Sequence, residues 1–269
     1  MRTAATSEHC NSRFGIERRD AGLSFPPARP SAAQALPSKC AGCGPRQIAI
    51  CAAVPEQELA RLSAAGISVP IEPGRRFMEE GEAAENFFIV TNGTAKLLKM
   101  LPDGRQQITS FVGDGDFLGL ALSTQYSYSV EAITQVRLCR FSRPRMRQLF
   151  ADFPLMEKRL LASACHELVL AQEQMLLLGR KSARERLASF LVHWAGKSEP
   201  TSLPGGSRKQ ILVKLPMSRS DIGDYLGMQI ETVSRTLKVL KVAGVIATAP
   251  GWGVMIQDLA RLQALSGNV

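Results

Sequence analysis

Ser218–Lys241 reads SRSDIGDYLGMQIETVSRTLKVLK, and this stretch has the local signals of two short helices joined by a tight turn. Ser218 can cap the first helix, with Asp221 three residues later as its reciprocal partner. Gly227 breaks that helix, and a second helical period follows it. The predicted inward-facing residues are Ile222 and Leu226 in the first helix and Val233, Leu237 and Leu240 in the second. The stretch therefore predicts a helix-turn-helix, around which the rest of the chain is organised.

The outward face of the second helix carries side chains suited to reading DNA. Glu231, Ser234 and Arg235 are spaced i, i+3 and i+4, so they share a face near the helix N-terminus, which in such motifs meets base edges. Arginine can pair with guanine, glutamate can accept from cytosine, and serine can contact base or phosphate. Lys238 and Lys241 follow one turn apart, where they can hold phosphates. The competing interpretation is that Glu231 and Arg235 form only an ion pair on a solvated face. The predicted DNA-binding residues are Ser218, Glu231, Ser234, Arg235 and Lys238.

Length and charge favour a two-domain protein that binds nucleic acid over a membrane protein. The 269 residues are 45% hydrophobic, which is enough for two domains with real cores. From Arg180 to Val269 there are 13 Lys and Arg against 6 Asp and Glu, a net +7 out of the chain's +9, so the basic excess surrounds the helix-turn-helix. No apolar run of transmembrane length and no secretory signal occurs, so we expect a cytoplasmic protein. Its six cysteines are then more typical of thiols or metal ligands than of disulfides.

Three of these cysteines are closely spaced. Cys40, Cys43 and Cys51 form the pattern C-x2-C-x7-C in a loop that contains Gly and Pro, so their thiolates can converge on one metal centre. A closed tetrahedral zinc site and a four-iron cluster each usually need four protein ligands, so a fourth must come from elsewhere. A zinc site and thiols without a metal remain alternative interpretations of this motif. The candidates for the fourth ligand are Cys10, Cys139, Cys165 and the histidines.

The segments on either side of this loop differ sharply. Residues 1–39 are rich in Ala, Ser, Pro and Arg without a sustained period, so we predict a disordered extension. From Ile67 to Phe141, short period-2 runs alternate with turn signals such as Pro102-Asp103-Gly104, which predicts an antiparallel double-sheet roll. Cys139 lies in the last of these runs, and we expect it at the end of the sheet.

Pro154 to Leu178 is predicted to be a long helix with an apolar seam. The seam alternates steps of 3 and 4, as in a two-stranded coiled coil, so it favours dimerisation, and a two-fold operator would require a dimer. The competing interpretation is that the stripe packs on its own domain. Cys165, beside the seam, is expected to be a small buried residue. The predicted seam residues are Leu161, Ala164, Leu168, Ala171, Met175 and Leu178.

The C-terminal part completes a winged helix-turn-helix. Ala183 to Trp194 is predicted to be a helix, and VIATAPGWGVMI a hairpin that turns at Pro250-Gly251. The fold class is therefore α+β: a β-roll (jelly roll), a dimerisation helix and a winged helix-turn-helix. The predicted divisions are 1–39 for the extension, 40–153 for the cysteine loop and roll, 154–179 for the dimerisation helix, and 180–269 for the DNA-binding domain.

From Cys40 onward, this order of elements resembles the CRP/FNR family of bacterial transcription regulators. The likeness is closest to the FNR branch and is carried by CAGCGPRQIAIC, QMLLLGRKSARERLASFL and SRSDIGDYLGMQIETVSRTLKVLKVAGVI. In that branch the N-terminal cysteines and one cysteine of the roll hold an oxygen-sensitive 4Fe-4S cluster. The resemblance implies that the ligands are Cys40, Cys43, Cys51 and Cys139, with RLCRFS at the family's place for the internal cysteine.

The resemblance also implies a function and partners. Glu231, Ser234 and Arg235 match the family's base-reading residues, which implies a half-site resembling TTGAT. The expected protein is a homodimeric activator of anaerobic or microaerobic genes that binds a palindromic operator and RNA polymerase. The cluster would promote pairing of the long helices, and pairing would set two recognition helices about 34 Å apart.

Two other kinds of protein share some of these features. The cyclic-nucleotide branch needs a cation for the phosphate, and no Arg occurs from Phe117 to Val136, so we expect no cyclic nucleotide. A regulator with a zinc or thiol redox sensor remains the alternative, and an iron-sulphur electron carrier with a basic domain is a third interpretation. No nucleophile-base pair or phosphate loop indicates an enzyme.

Overall fold

The computed structural model describes residues 39–121, 124–197, 200–201, 210–249 and 253–267. The predicted extension lies outside these ranges except for its last residue, and so does the predicted turn at Pro250-Gly251. Within them the chain forms a β-roll, a long helix and a winged helix-turn-helix, which confirms the predicted fold class.

The roll consists of two four-stranded antiparallel sheets. Their orders are β1-β8-β3-β6 and β2-β7-β4-β5. Alternate residues of the strands point between the sheets, where Val90, Val130 and Leu138 are fully buried. Gly93 turns the chain between β3 and β4 with φ of +94°, and a Cβ there would lie 2.3 Å from the Gln135 carbonyl oxygen, so only glycine fits. The strands are β1 Ile67–Ile71, β2 Arg76–Met78, β3 Asn86–Asn92, β4 Ala95–Met100, β5 Gln106–Val112, β6 Phe117–Leu118, β7 Ser129–Ala132 and β8 Val136–Ser142.

Three helices pack around or leave the roll. They are α1 Leu59–Ala65, α2 Arg143–Asp152 and α3 Pro154–Arg180. α2 was not predicted, because its basic sequence RPRMRQLFAD buries only Met146 and Leu149. α3 begins at the predicted residue and runs two residues beyond the predicted end.

α3 carries an exposed apolar stripe. Leu161, Leu168 and Met175 are 66%, 60% and 64% exposed, so the residues predicted to form most of the seam do not pack on their own chain. Leu178 differs from them, because it is half-buried against the core of the DNA-binding domain. The prediction that Cys165 is buried is wrong: its thiol lies on an exposed face, since residues beside the stripe have no core beneath them.

The C-terminal domain begins with α4, a helix whose N-terminus is capped. Ser182 caps α4, and its hydroxyl and the Glu185 carboxylate form a capping box. The wing hairpin is confirmed by the antiparallel pairing of β11 with β12, in which Thr248 faces Val254. The final helix, α7, was not predicted. The elements are α4 Ala183–Gly196, β9 Pro200–Thr201, β10 Gln210–Lys214, α5 Arg219–Leu226, α6 Ile230–Val242, β11 Ile246–Thr248, β12 Gly253–Ile256 and α7 Leu259–Leu265.

The roll and the first helix of the helix-turn-helix contact each other directly. Lys96 Nζ on β4 lies 2.7 Å from Asp221 Oδ1 and 3.0 Å from Glu131 Oε1. The Phe111 and Tyr225 rings pack beside this ion pair at 5.1 Å between centroids. Because the Lys96 and Asp221 side chains are only 11% and 13% exposed, the interaction is largely shielded from water.

Replacing Lys96 with Met is expected to lower the free energy of unfolding by about 3 kcal/mol, since it leaves the shielded Asp221 carboxylate without its cation, whereas Glu131 keeps its ion pair with Arg76. Urea denaturation at neutral pH measures this. Lys99→Met is the matched control: Lys99 is on the same strand but half exposed, so its loss should cost less than about 1 kcal/mol. Equal effects of the two substitutions would contradict the assigned role of Lys96.

The same interaction predicts a dependence on acid. Burial alone would raise the pKa of Asp221, but hydrogen bonds from Lys96 and Ser218 outweigh it and hold the pKa below its ordinary value. A lowered pKa gives stability that is present above about pH 4 and is lost as the pH falls through the folded-state pKa. Denaturation from pH 6 to pH 3 should therefore show a smaller acid loss for Asp221→Asn than for the wild type.

Candidate functional sites: a cysteine cavity and a DNA-binding face

The segment that carries Cys40, Cys43 and Cys51 folds into consecutive tight turns. The Cys43 amide donates to the Cys40 carbonyl at 3.4 Å, and the Arg46 amide donates to the Cys43 carbonyl at 3.2 Å. Two 3-10 turns follow, Gly44–Gln47 and Ile50–Ala53. Buried Ala49 and Ile50 anchor the loop on the roll, so the polar sequence around the cysteines stays close to the surface while its apolar end is fixed.

Cys139 meets this loop from the roll. The prediction that it lies at the end of the sheet is wrong: it is in the middle of β8, an inner strand, where it pairs with Ser68 of β1 and Ile89 of β3. The sheet order could not be read from the sequence, and it is this order that makes β8 internal. A central position holds the thiol on a rigid surface.

All four predicted ligands line one cavity. The space measures about 350 Å³, counting the part that opens to solvent, and Cys40, Cys43, Cys51 and Cys139 lie on its walls. No three His, Cys, Asp or Glu side chains of the described ranges converge closely enough to hold a single metal ion. The thiols therefore surround a space and do not meet at a point. The remaining walls are mainly apolar, from Leu62, Ile89, Phe141 and Ala49.

The protein environment raises the pKa of the Cys51 and Cys139 thiols and so favours their protonated form. Burial, together with the smaller effect of the neighbouring cysteines, raises the pKa of Cys51 to about 12. Burial likewise, with smaller effects of Cys40 and Cys43, raises the pKa of Cys139 to about 11. Because four thiolates repel one another in an apolar site, the arrangement favours ionised sulfur only when a positive centre is among them.

Arg46 also lines the cavity, and sequence reasoning missed it. One guanidinium nitrogen, Nη2, donates to the Val54 carbonyl at 3.1 Å. Its Nε is buried without a hydrogen-bond partner, the one such side-chain atom in the described part of the chain. A cation three residues after Cys43 was the available signal.

The cysteine loop contacts the long helix. The 3-10 turn Ile50–Ala53, which contains Cys51, packs on the first turns of α3. Ile50 and Met156 are buried in the same apolar cluster, and Leu160 packs against it. A change in the position of Cys51 would therefore reach α3 through direct contact.

The second site is the face of α6, the recognition helix. Glu231 and Arg235 are exposed and Ser234 is partly exposed, as predicted for base-reading residues. Arg235 Nε donates to the backbone carbonyl of Glu231 at 3.3 Å, so the alternative of a simple carboxylate-guanidinium pair does not describe this face. Arg219 of α5 donates to the Ser234 hydroxyl at 3.3 Å, and Lys238 is exposed one turn further along.

Ser218 has the capping role that the sequence indicated. Its hydroxyl accepts from the Asp221 amide at 3.1 Å and donates to the Asp221 carboxylate at 2.6 Å. The capping box starts α5, and Ser218 remains exposed to solvent at the helix N-terminus, which suits a phosphate contact.

Two glycines set the angle between α5 and α6. Gly227 takes the left-handed conformation, with φ of +61°, and ends α5. Gly223 is buried one turn earlier, where an added Cβ would lie 2.5 Å from the Met228 carbonyl oxygen. The close approach of the turn to α5 therefore depends on the absence of a side chain at residue 223.

Gly223→Ala is expected to destabilise the protein by about 1–3 kcal/mol, because the backbone of the turn must move away from the new methyl group. Thermal unfolding followed by circular dichroism tests this. Gly196→Ala is the control, because an added Cβ there meets nothing within 4 Å. Alanine also has a higher helix propensity than glycine at this last residue of α4. An unchanged melting temperature for Gly223→Ala would show that the turn can accommodate a methyl group at residue 223.

Comparison with known proteins agrees with this architecture. Residues 68–153 match the family described as cyclic nucleotide-binding domain, and residues 185–265 match the Crp-like helix-turn-helix domain. The nitrogen fixation regulation protein FixK of Bradyrhizobium diazoefficiens is 39% identical over 227 residues, covering 84% of this chain and 93% of that protein. The transcriptional activator protein FnrL of Cereibacter sphaeroides is 34% identical over 230 residues, covering 86% and 92%.

A solved structure extends the likeness to three dimensions. The structure of FixK2 from Bradyrhizobium japonicum superposes with a TM-score of 0.67 at 31% identity, over 76% of this chain and 98% of that one. None of the helices in the described ranges is long and apolar enough to cross a membrane. The chain belongs to the FNR branch of the Crp/Fnr family, and is a DNA-binding transcription regulator and not an enzyme.

Proposed function

We propose that the protein is a transcription activator of genes for growth at low oxygen, and that it senses oxygen through a 4Fe-4S cluster. The observation that carries the proposal is the single cavity lined by four cysteines from two distant parts of the chain. The relatives support the coarser part, because their names describe a nitrogen fixation regulator and a transcriptional activator.

The residues present fit such a cluster. Thiolate sulfur is the ligand that iron-sulphur clusters prefer, and each cysteine of a 4Fe-4S site binds a different iron. The sulfurs should therefore stand around a core, and a set of thiols on the walls of one cavity is consistent with that. Cys40, Cys43, Cys51 and Cys139 would hold the group. When bound, it supplies iron that reacts with oxygen.

The contact between the cysteine loop and α3 supports a route to dimerisation. Ligation of Cys51 would fix the turn Ile50–Ala53 against Met156, and so fix the first turns of α3. The exposed stripe of Leu161, Leu168 and Met175 would then pair with a second copy. A dimer sets two recognition helices about one DNA turn apart, roughly 34 Å.

The DNA face supports a palindromic operator with TTGAT-type half-sites. Arg235 offers a fork for guanine and Glu231 an acceptor for cytosine, from a helix end free to enter the major groove. RNA polymerase would be the further partner of an activator. We also propose that the roll binds no cyclic nucleotide, despite its family match, because no Arg or Lys occurs from Phe117 to Val136 to receive a phosphate.

The decisive experiment is purification without air, followed by iron and sulphide analysis and an operator-binding titration before and after exposure to air. We expect about four irons per chain, a brown chromophore that bleaches in air, and operator binding that weakens as it bleaches. A colourless protein with one zinc per chain would replace the cluster with a zinc sensor. Operator affinity that does not change in air would refute oxygen sensing.

A further inference from the structure

We infer that Arg46 is a ligand-sphere residue of the cysteine site: its Nε–H donates a hydrogen bond to a sulfur of the bound group, and its charge offsets the negative charge of the four thiolates. This inference rests on the proposed function. It concerns a residue in the x7 stretch between Cys43 and Cys51, in addition to the four cysteines.

The first step is the unsatisfied donor. Leaving a buried N–H without a partner is costly, and more so for a charged group, so such atoms are rare in native proteins. Arg46 Nε is the one unsatisfied buried side-chain atom in the described ranges, and its side chain lines the cavity that the cysteines line. An unpartnered donor in a residue that lines a ligand cavity points to a partner that belongs to the ligand.

The second step is the way the guanidinium is held. Nη2 is bonded to the Val54 carbonyl at 3.1 Å, just after the 3-10 turn that contains Cys51. This bond fixes the planar group, so that Nε keeps its direction with little freedom to find another partner. The loop from Cys43 to Val54 is thereby closed on itself by the arginine that serves the site.

The third step is charge. The walls otherwise come mainly from apolar side chains such as Leu62, Ile89 and Phe141, so little else offsets anionic sulfur there. Four thiolates carry more charge than the core they bind, which leaves the assembly anionic. Arg46 also acts on Cys40, because its charge lowers the thiol pKa against the larger, opposite effects of burial and of Cys43. Hydrogen bonds and net charge around the sulfurs are among the factors that set the reduction potential of such clusters.

The test compares the reduction potential and the rate of bleaching in air of anaerobically loaded wild type, Arg46→Met and Arg46→Lys. Without the charge and the hydrogen bond, the oxidised cluster is favoured, so Arg46→Met should have a lower potential and bleach several-fold faster. Arg46→Lys keeps the charge and should lie between them. Arg105→Met is the matched control, because it removes one positive charge from an exposed turn of the roll, and it should behave as the wild type.

A second measurement separates this role from a purely structural one. Without the cluster, Arg46→Met should lower the melting temperature only slightly, through loss of the hydrogen bond to Val54, and in the loaded protein it should lower it clearly more. Equal losses in the two forms would indicate a purely structural arginine. If Arg46→Met does not fold, Arg46→Gln, which removes only the charge and retains a donor, is measured by the same criteria. A variant that folds but retains no iron supports the inference.

The two proposals fail in different ways. If the wild type loads its cluster and Arg46→Met has the potential and bleaching rate of Arg105→Met, Arg46 does not contact the group and only this inference is overturned. If the anaerobic wild type contains no iron, the proposed function falls, and the role of Arg46 falls with it.

Discussion

Cys139→Ser is expected to remove iron from the anaerobically purified protein and to leave its folding intact. The hydroxyl is nearly the size of the thiol but is a poor ligand for iron, and the three loop cysteines alone leave the site one ligand short. Cys139 is half-buried on an inner strand whose neighbours are fixed by backbone pairing, so no other residue can take its place. Iron analysis and circular dichroism measure the two parts of the prediction.

The same substitution should weaken operator binding under anaerobic conditions by roughly 5- to 150-fold, the usual range of coupling between two sites. The affinity should then equal that of the air-exposed wild type. Cys165→Ser is the matched control, because Cys165 is exposed on α3 away from the cavity, and it should keep both iron and affinity. Full iron content in Cys139→Ser would exclude this cysteine as a ligand.

Arg235→Ala is expected to weaken binding to the specific operator by about 2–6 kcal/mol. Loss of one bidentate contact to guanine costs about 1–3 kcal/mol, and a palindromic site contains the contact twice. This corresponds to at least a roughly 30-fold loss. Binding to single-base variants of the operator should also become more uniform, because Arg235 would distinguish bases and not only attract phosphates. Fluorescence anisotropy with a panel of operators measures both effects.

Lys238→Ala provides the contrast. Lys238 is exposed one turn beyond Arg235 and is predicted to hold a phosphate. Its removal should weaken all sequences alike and reduce the salt dependence of binding, by about one unit of slope per half-site. If Arg235→Ala showed this uniform pattern instead, the assigned face of α6 would not be the one that reads bases.

The helix-turn-helix was predictable because its signals are local. Ser218 and Asp221 form their capping box within three residues, and Gly227 ends α5 through its own backbone conformation. The period of Val233, Leu237 and Leu240 likewise needed no knowledge of the rest of the chain, and Val233 and Leu240 are fully buried. Interactions between residues that are close in the sequence can be predicted from a short stretch of that sequence.

The cysteine site was predictable only in part. Spacing brought Cys40, Cys43 and Cys51 together, and family resemblance added Cys139, but the sequence could not tell which strand lies between which others. For that reason the position of Cys139 within the sheet was wrong, and Arg46 was missed. The role of Arg46 depends on the surroundings of one side-chain nitrogen in the folded protein, and residue spacing does not predict those surroundings.

Contacts between the domains also could not be predicted from the sequence. Lys96 and Asp221 are separated by 125 residues, and the sequence indicated only a capping role for Asp221. Leu178 continued the seam by period, yet it packs on the DNA-binding core because α3 ends there. Periodicity identifies an apolar face but does not say which partner covers it.

The unbroken length of α3 has a mechanical consequence. Its 27 residues span roughly 40 Å, and no proline or glycine interrupts them between Pro154 and Gly179. The helix packs on the roll at Met156 and on the DNA-binding domain at Leu177, so it connects the two directly. A tilt of about 5° at one end would move the other by about 3.5 Å, more than the length of a hydrogen bond. Two glycines introduced in the middle of α3 would make the helix more flexible. Each end would then keep its own packing, but movement of one end would no longer be transmitted to the other.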